Sequence, residues 1–288
     1  CSIEMIIGML AVVKAGGAFI AIDSEYPKER INMMLEEAQA FLLITQSNLL
    51  EEKSTSNEKI IYIDREWSEI EKENDSKPNV NVTPDNLVYV IFTSGSSGKP
   101  KGVLMNHEAV VSHTVDMQRC YELETHDRVL QFSSISFDIS LEQVFSTLGN
   151  GSTLVLRDKE VWTPREFAHK CKEVGLTVTN LPTAYWHQVV QEWANDIEII
   201  PHEKLRLVIV GGEQLLPERV ALWEKYPMNK IKLLNAYGPA ETAMTSTLYD
   251  ISQLRGKNRK YTPVGKPLAN RRIRSEEHTS ELQSPRLS

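Results

Sequence analysis

The chain has 288 residues, 41% of them apolar and 25% charged, with a net charge of −7. This is ordinary for a globular protein with a sizeable core, and the acidic balance argues against a general nucleic-acid binder. No apolar run reaches the ~20 residues that a membrane-spanning helix requires. Cys1, Cys120 and Cys171 are odd in number, widely spaced and without zinc-ligand spacing, which fits a reducing cytoplasm.

Taken in chain order, residues 3–14 (IEMIIGMLAVVK) are apolar on most faces and predict a buried helix, ended by a left-handed turn at Gly16-Gly17. No cleavable leader precedes it, and residue 1 falls inside a helical pattern, so the chain is expected to begin within a longer protein. AFIAID predicts a strand, Tyr26-Pro27 a turn, and Lys28 to Gln39 an amphipathic helix. FLLIT and KIIYID are the next strands. Residues 74–86 are polar and Pro-containing, a loop before the apolar run LVYVIF (Leu87 to Phe92). VLMNH then reads as a strand, followed by strands at RVLQFSS, STLVLRD, LTVTNLP, LRLVIV and KIKLLNAY. Helices lie between most of them, among them Pro164 to Val174 and Pro217 to Lys225. This alternation predicts an α/β fold of layered, largely parallel sheets. The last fifteen residues, RSEEHTSELQSPRLS (274–288), are polar and unperiodic and resemble a translated sequencing adapter. The native domain is expected to cover 1–273, with 274–288 a non-native or disordered tail.

The stretch TSGSSGKPKG (Thr93 to Gly102) carries the most chemistry. Its glycines let the backbone approach a ligand closely. Its hydroxyls, N–H groups and two lysines suit the oxygens of a polyphosphate. It is not a Walker A loop, because only two residues separate Gly95 from Gly98 and Pro100 follows Lys99. No G-x-G-x-x-G dinucleotide fingerprint is present either. A plain Ser/Gly linker is the alternative, but the loop lies between two strand-like runs.

This loop resembles the phosphate loop of the adenylate-forming superfamily. Three further segments resemble one branch of it, the amino-acid adenylation domains of nonribosomal peptide synthetases. They are VKAGGAFIAIDSEYPKERI (Val13 to Ile31), FDIS (Phe137 to Ser140) and NAYGPAE (Asn235 to Glu241), in that family's order, and VGKPLAN (Val264 to Asn270) extends the likeness. Ala21 and Ser24 replace prolines of the pattern, and Ala240 stands where the family usually has Thr. The resemblance implies the layered sheets and helices of the large N-terminal subdomain, incomplete in this chain. It also implies activation of an amino acid with ATP and Mg²⁺, then transfer to the phosphopantetheine of a partner carrier domain. Carrier and condensation domains of a parent synthetase would be its partners in a cytoplasmic assembly, with no nucleic acid and no membrane. The segments that follow in the family, including a catalytic Lys, are absent, so this chain alone is expected to be inactive.

Residue by residue, the resemblance assigns Thr93, Ser94, Gly95, Ser96, Ser97 and Gly98, with Lys101, to the phosphates. Glu241 matches the Mg²⁺ ligand. Tyr237 matches the aromatic that stacks on adenine, and Gly212, Asn235, Ala236 and Gly238 line the nucleotide site. Ala240 removes one hydroxyl from it; a charge-assisted hydrogen bond is worth roughly 1.5–3 kcal/mol, so weakened nucleotide binding is expected unless water or Ser97 compensates. Asp138 corresponds to the partner of the substrate α-ammonium. Ile139, Glu142, Asn180, Ile209, Gly211, Ala236, Met244 and Thr245 form the rest of the amino-acid pocket. Glu142 is the unusual member, since a buried carboxylate needs compensation. With small Gly211 and Ala236 leaving length, the pocket suggests a cationic substrate such as ornithine or lysine, unless Glu142 pairs with a Lys or Arg of the protein or faces solvent. Two other readings remain open: an acyl- or aryl-CoA ligase, against which Asp138 speaks, and an inactive nucleotide-binding remnant.

Overall fold

The computed structural model describes residues 2–49, 59–94, 100–201, 203–254 and 260–274. Ser2 caps helix α1 (Ile3–Lys14) by accepting the Met5 N–H at 3.2 Å, and the chain leaves the helix through Gly16 at φ +79°. The helix is where the sequence places it, but its burial is not. Only Ile6, Gly8 and Met9 are buried, and Ile3 is 66% exposed. A helix lying on one neighbouring layer buries a single stripe, and α1 has more apolar residues than one stripe holds.

Next come β1 (Phe19–Ile20), α2 (Lys28–Glu37), β2 (Leu42–Thr45), β3 (Lys59–Tyr62) and the short α3 (Trp67–Ile70). Only two residues of the expected strand AFIAID pair with a neighbour. β2 and β3 form a parallel pair of their own. Strands β4 (Leu87–Ser94) and β5 (Pro100–Asn106) are antiparallel, and β1 joins β4 in parallel to make a three-stranded sheet. Helix α4 (His107–Cys120) begins at the Asn106 cap, whose side chain accepts the Ala109 N–H at 2.9 Å.

The larger sheet is built from β6 (Arg128–Gln131), β7 (Thr153–Leu156), β8 (Val178–Pro182), β9 (Leu207–Gly211), β10 (Lys232–Tyr237), β11 (Thr247–Asp250) and β12 (Lys266–Pro267), in the order β12-β11-β10-β9-β8-β6-β7. From β7 to β10 every pairing is parallel; β11 and β12 run antiparallel. β9 sits inside, and Leu207, Val208, Ile209 and Val210 are all buried. That is the continuous apolar run expected of a parallel strand covered on both faces. On one face lie α6 (Pro164–Val174), α7 (Thr183–Asn195) and α8 (Pro217–Lys225), with Phe167, Trp186, Trp193 and Trp223 in one core. On the other face Met117 and Tyr121, from α4 and its C-terminus, meet Val129, Val178, Leu207 and Ile209. Helix α5 (Asp138–Gly149) packs on β6 and β7, and its Leu141 and Val144 also join the core beneath β1, β4 and β5. The α6 and α8 boundaries coincide with the sequence expectation. In α6 this follows from a complete capping box at Thr163 and Glu166, Pro164 in the first turn and Gly175 at φ +66° after the last.

At the N-terminal ends of β6, β8 and β9 one buried carboxylate ties three strands. Asp127 accepts from Arg206 Nη2 at 2.6 Å and Nε at 3.0 Å, from Thr177 Oγ1 at 2.6 Å and from the Glu124 N–H at 2.8 Å. Arg206 also donates to the carbonyls of Tyr121 and Glu122. Burial pushes the Asp127 carboxyl up, but the bonds from Arg206, Thr177 and Glu124 outweigh it and hold the group below the usual carboxylate range. Asp127 therefore contributes stability above its unfolded pKa and loses it as pH falls through the lowered one. Arg206→Ala is expected to destabilise the chain by roughly 2–4 kcal/mol, tempered because Arg206 is partly exposed. Urea unfolding at pH 7 checks the loss, and repeating it towards pH 3 should show a shallower acid dependence in the variant.

Candidate active site

The chain passes from β6 outward to β7 on one side and then crosses to β8 on the other, so the strand order reverses at β6. In open α/β sheets ligands bind outside the carboxyl ends of the strands at such a switch point. Here β6 and β8 pair only through Val129–Val178 and Leu130–Thr179. Beyond that, Gln143 of α5 fills the gap. Its Oε1 accepts the Phe132 N–H at 3.0 Å and its Nε2 donates to the Asn180 carbonyl at 2.9 Å. The sequence-predicted pocket residues converge on this edge: Asp138, Ile139 and Glu142 on α5, Asn180 on β8, Ile209 and Gly211 on β9, and Ala236 on β10.

Asp138 is the first residue of α5, and its Oδ2 is buried with no hydrogen-bond partner among the described residues. Burial and then the neighbouring Glu142 charge push its carboxyl up to about 6. Glu142 lies four residues on, hence on the same face of α5, in a different environment. No Lys or Arg among the described residues touches it, and it does not face solvent. His113 Nε2 lies 2.8 Å from its Oε2, while Tyr121 Oη donates to Oε1 at 2.7 Å and Asn180 Nδ2 at 3.1 Å. Thr245 also hydrogen-bonds to it. Burial pushes the Glu142 carboxyl up, yet the bonds from His113, Tyr121 and Thr245 hold it below the usual range. The same burial and the Glu142 charge push the Tyr121 hydroxyl well up.

The far wall is the turn after β10. Ala243 and Met244 hold φ angles of +59° and +67°, a conformation non-glycine residues rarely adopt. The turn closes tightly on Gly238, where a Cβ would collide with the Met244 carbonyl oxygen. Met244 and Thr245 are buried. The absence of a side chain at Gly211 has a structural cause, since a Cβ there would lie 2.7 Å from the Ala236 carbonyl oxygen. Arg271 braces the turn from behind. It donates to the Thr242 carbonyl, to the Ala243 carbonyl at 2.7 Å and to His113 Nδ1 at 3.1 Å.

On the nucleotide side, Thr93 pairs with Lys101 and Ser94 with Pro100 across β4 and β5. The two ends of the expected phosphate loop are therefore paired with each other in antiparallel register. Gly95, Ser96, Ser97 and Gly98 themselves, and the Ser94 side chain, lie outside the described residues. β5 packs against the turn Ala240–Thr242, which brings Lys101's strand beside Glu241; both side chains are exposed. Glu241 is a single carboxylate, and no cluster of three or more His, Cys, Asp or Glu suited to a metal exists among the described residues. One carboxylate fits Mg²⁺, which keeps several waters and takes oxygens from substrate phosphates. Tyr237 is 53% exposed at the end of β10, open to stacking. Asn235 is buried and spends its Nδ2 on the Pro263 carbonyl at 2.8 Å, tethering the segment before β12. Gly212 takes φ +95° with open space around it.

Sequence reasoning missed His113, Tyr121, Gln143 and Arg271. Only His113 leaves a trace in the sequence. It shares the inward face of α4 with Val110, Asp116 and Met117, where a histidine needs a polar partner.

A split parallel sheet, the buried Asp138 at its switch point and the strand ends at Thr93 and Lys101 beside the exposed Glu241 make a cleft whose groups suit both a cation and an anion. Comparison with known proteins gives the family. The family described as AMP-binding enzyme matches residues 1–285, and the chain belongs to that family. It is 34% identical over 278 residues to isonitrile lipopeptide synthase of Streptomyces coeruleorubidus, covering 94% of this chain and 18% of that protein. It is 33% identical over 280 residues to tyrocidine synthase 1 of Brevibacillus parabrevis, covering 94% of this chain and 24% of that protein. The crystal structure of the nonribosomal peptide synthetase FmoA3 (S1046A), in its α-methyl-L-serine-AMP bound form, superposes with a TM-score of 0.83 at 27% identity, over 93% of this chain and 30% of that one. The chain thus spans a small part of the relatives it matches, and its fold is that of their adenylation domains. No helix among the described residues is long and apolar enough to cross a membrane.

Proposed function

We propose that this chain activates an amino acid as its aminoacyl adenylate, within a nonribosomal peptide synthetase that passes the product to a carrier domain. The unpartnered, buried Asp138 Oδ2 carries this reading. A carboxylate that ionises against its surroundings at a switch-point cleft is a site waiting for a cation, and the α-ammonium of an amino acid supplies one. An acyl- or aryl-acid substrate would leave it unpaired, which disfavours the CoA-ligase alternative. The Thr93–Lys101 rung and the exposed Glu241 would meet the phosphates and Mg²⁺, and the metal would neutralise the pyrophosphate leaving group. Tyr237 would take the adenine.

Within that activity the pocket supports a long cationic substrate of the ornithine or lysine class. Glu142 brings a buried negative charge to which no Lys or Arg of the described residues is directly bonded. One observation favours a second reading: both Glu142 oxygens already have donors, as a scaffold carboxylate holding α4, α5 and β8 around a neutral substrate would.

Four measurements on the enzyme carrying this chain in full decide these points. Asp138→Asn is expected to raise the amino-acid KM roughly 10- to 100-fold, the worth of one charge-assisted hydrogen bond, with the ATP KM little changed. Because the Asp138 carboxyl titrates at about 6, its uncharged form dominates below that pH, and kcat/KM for the amino acid should fall there. Pyrophosphate exchange across an amino-acid panel should favour cationic substrates, a preference that Glu142→Gln removes; a neutral preference unaffected by that change would select the scaffold reading. Ala240→Thr should lower the ATP KM about tenfold, as one restored hydroxyl contact on a phosphate predicts.

A further inference from the structure

Behind the pocket, three side chains from three parts of the chain stand in series: the half-buried Arg271 and the buried His113 and Glu142. A guanidinium only donates hydrogen bonds. Since Arg271 Nη2 lies 3.1 Å from His113 Nδ1, that ring nitrogen must accept. The ring proton is then on Nε2, which donates to Glu142 Oε2 at 2.8 Å. Arg271 stands one ring away from Glu142 in this series. His113 thereby occupies Oε2 and leaves Oε1, with Tyr121 and Asn180, as the edge on the side of the β8 pocket residue.

We propose that His113, locked in one tautomer by Arg271, is a positioning residue that fixes the Glu142 carboxylate and so sets the amino-acid selectivity of the pocket. His113 acts through Glu142 and needs no contact with substrate. The inference rests on the placement of the pocket given under the proposed function. It adds that selectivity is set partly from a second layer, by residues on α4 and after β12. The guanidinium that orients the ring is itself held by the carbonyls of the left-handed turn, Thr242 and Ala243, that walls the same pocket.

The test compares the ratio of kcat/KM for lysine over its neutral isostere norleucine in the enzyme carrying the full chain. His113→Leu removes the donor, and the ratio should shift at least tenfold. His113→Gln keeps an N–H near the Nε2 position, and its ratio should stay within about threefold of the unaltered enzyme. The ATP KM should not move in either variant, whereas a purely structural role would change both substrates alike. If Glu142→Gln shifts the ratio and His113→Leu does not, the relay is overturned while the pocket reading stands. If neither shifts it, both fall. If His113→Leu shifts it and Glu142→Gln does not, His113 does not act through Glu142 and the proposal fails. Should His113→Leu not fold, ¹⁵N NMR of His113 in the unaltered chain decides: a neutral ring protonated on Nε2 is expected, and a proton on Nδ1 overturns the relay.

Discussion

Three adjacent parallel strands are tied together at one end, and two of them, β6 and β8, separate at the other; the rest of the site depends on that asymmetry. At the N-terminal ends Asp127 gathers Arg206, Thr177 and the Glu124 amide into one buried cluster. At the C-terminal ends β6 and β8 lose their ladder after two residue pairs, and Gln143 supplies the missing donor and acceptor across the gap. Unpaired backbone groups in a buried sheet are costly, so the split is tolerable only because one amide side chain satisfies both edges. The same helix that delivers Gln143 delivers Asp138 and Glu142. The opening of the sheet and the arming of the cleft are therefore one structural event.

Two carboxylates one helical turn apart have opposite fates. Asp138 is left without a partner on one oxygen and is pushed up to about 6, whereas Glu142 is surrounded by donors and held low. Environment separates their roles, as it does wherever paired acids do different work. The charge at Glu142 raises Asp138 further, so the two are coupled through the pocket they share. An arriving ammonium would relieve the cost at Asp138 first, because that is where compensation is missing.

Much of the fold was legible in the sequence wherever local chemistry decides. The α6 boundaries follow from Thr163, Pro164, Glu166 and Gly175, all within reach of the helix they delimit. The apolar runs at Leu207–Val210 and Leu87–Phe92 mark strands, but that β4 pairs antiparallel with β5 is shown only by the structure. One reading went astray for a non-local reason. Helix α1 looked buried because apolar content does not reveal how many layers will cover it, and Ile3 stays outside. Gly211 has a cause the sequence hides, because the β10 backbone comes within reach of where its side chain would be.

Of the site itself, the sequence by itself determined the donors and acceptors on offer: the hairpin residues, Asp138 and Glu142 on one helical face, and Glu241 in the turn beside β5. Only the tertiary structure decided which of those groups would be free and which already satisfied. Among the partners of Glu142, Tyr121, His113 and Asn180 come from 21, 29 and 38 positions away, and Arg271 reaches His113 across 158. No periodicity or local motif encodes such meetings. They arise because packing α4 on α5, and closing the turn after β10 against them, removes water and leaves each buried charge to find whatever donors the fold has brought within reach.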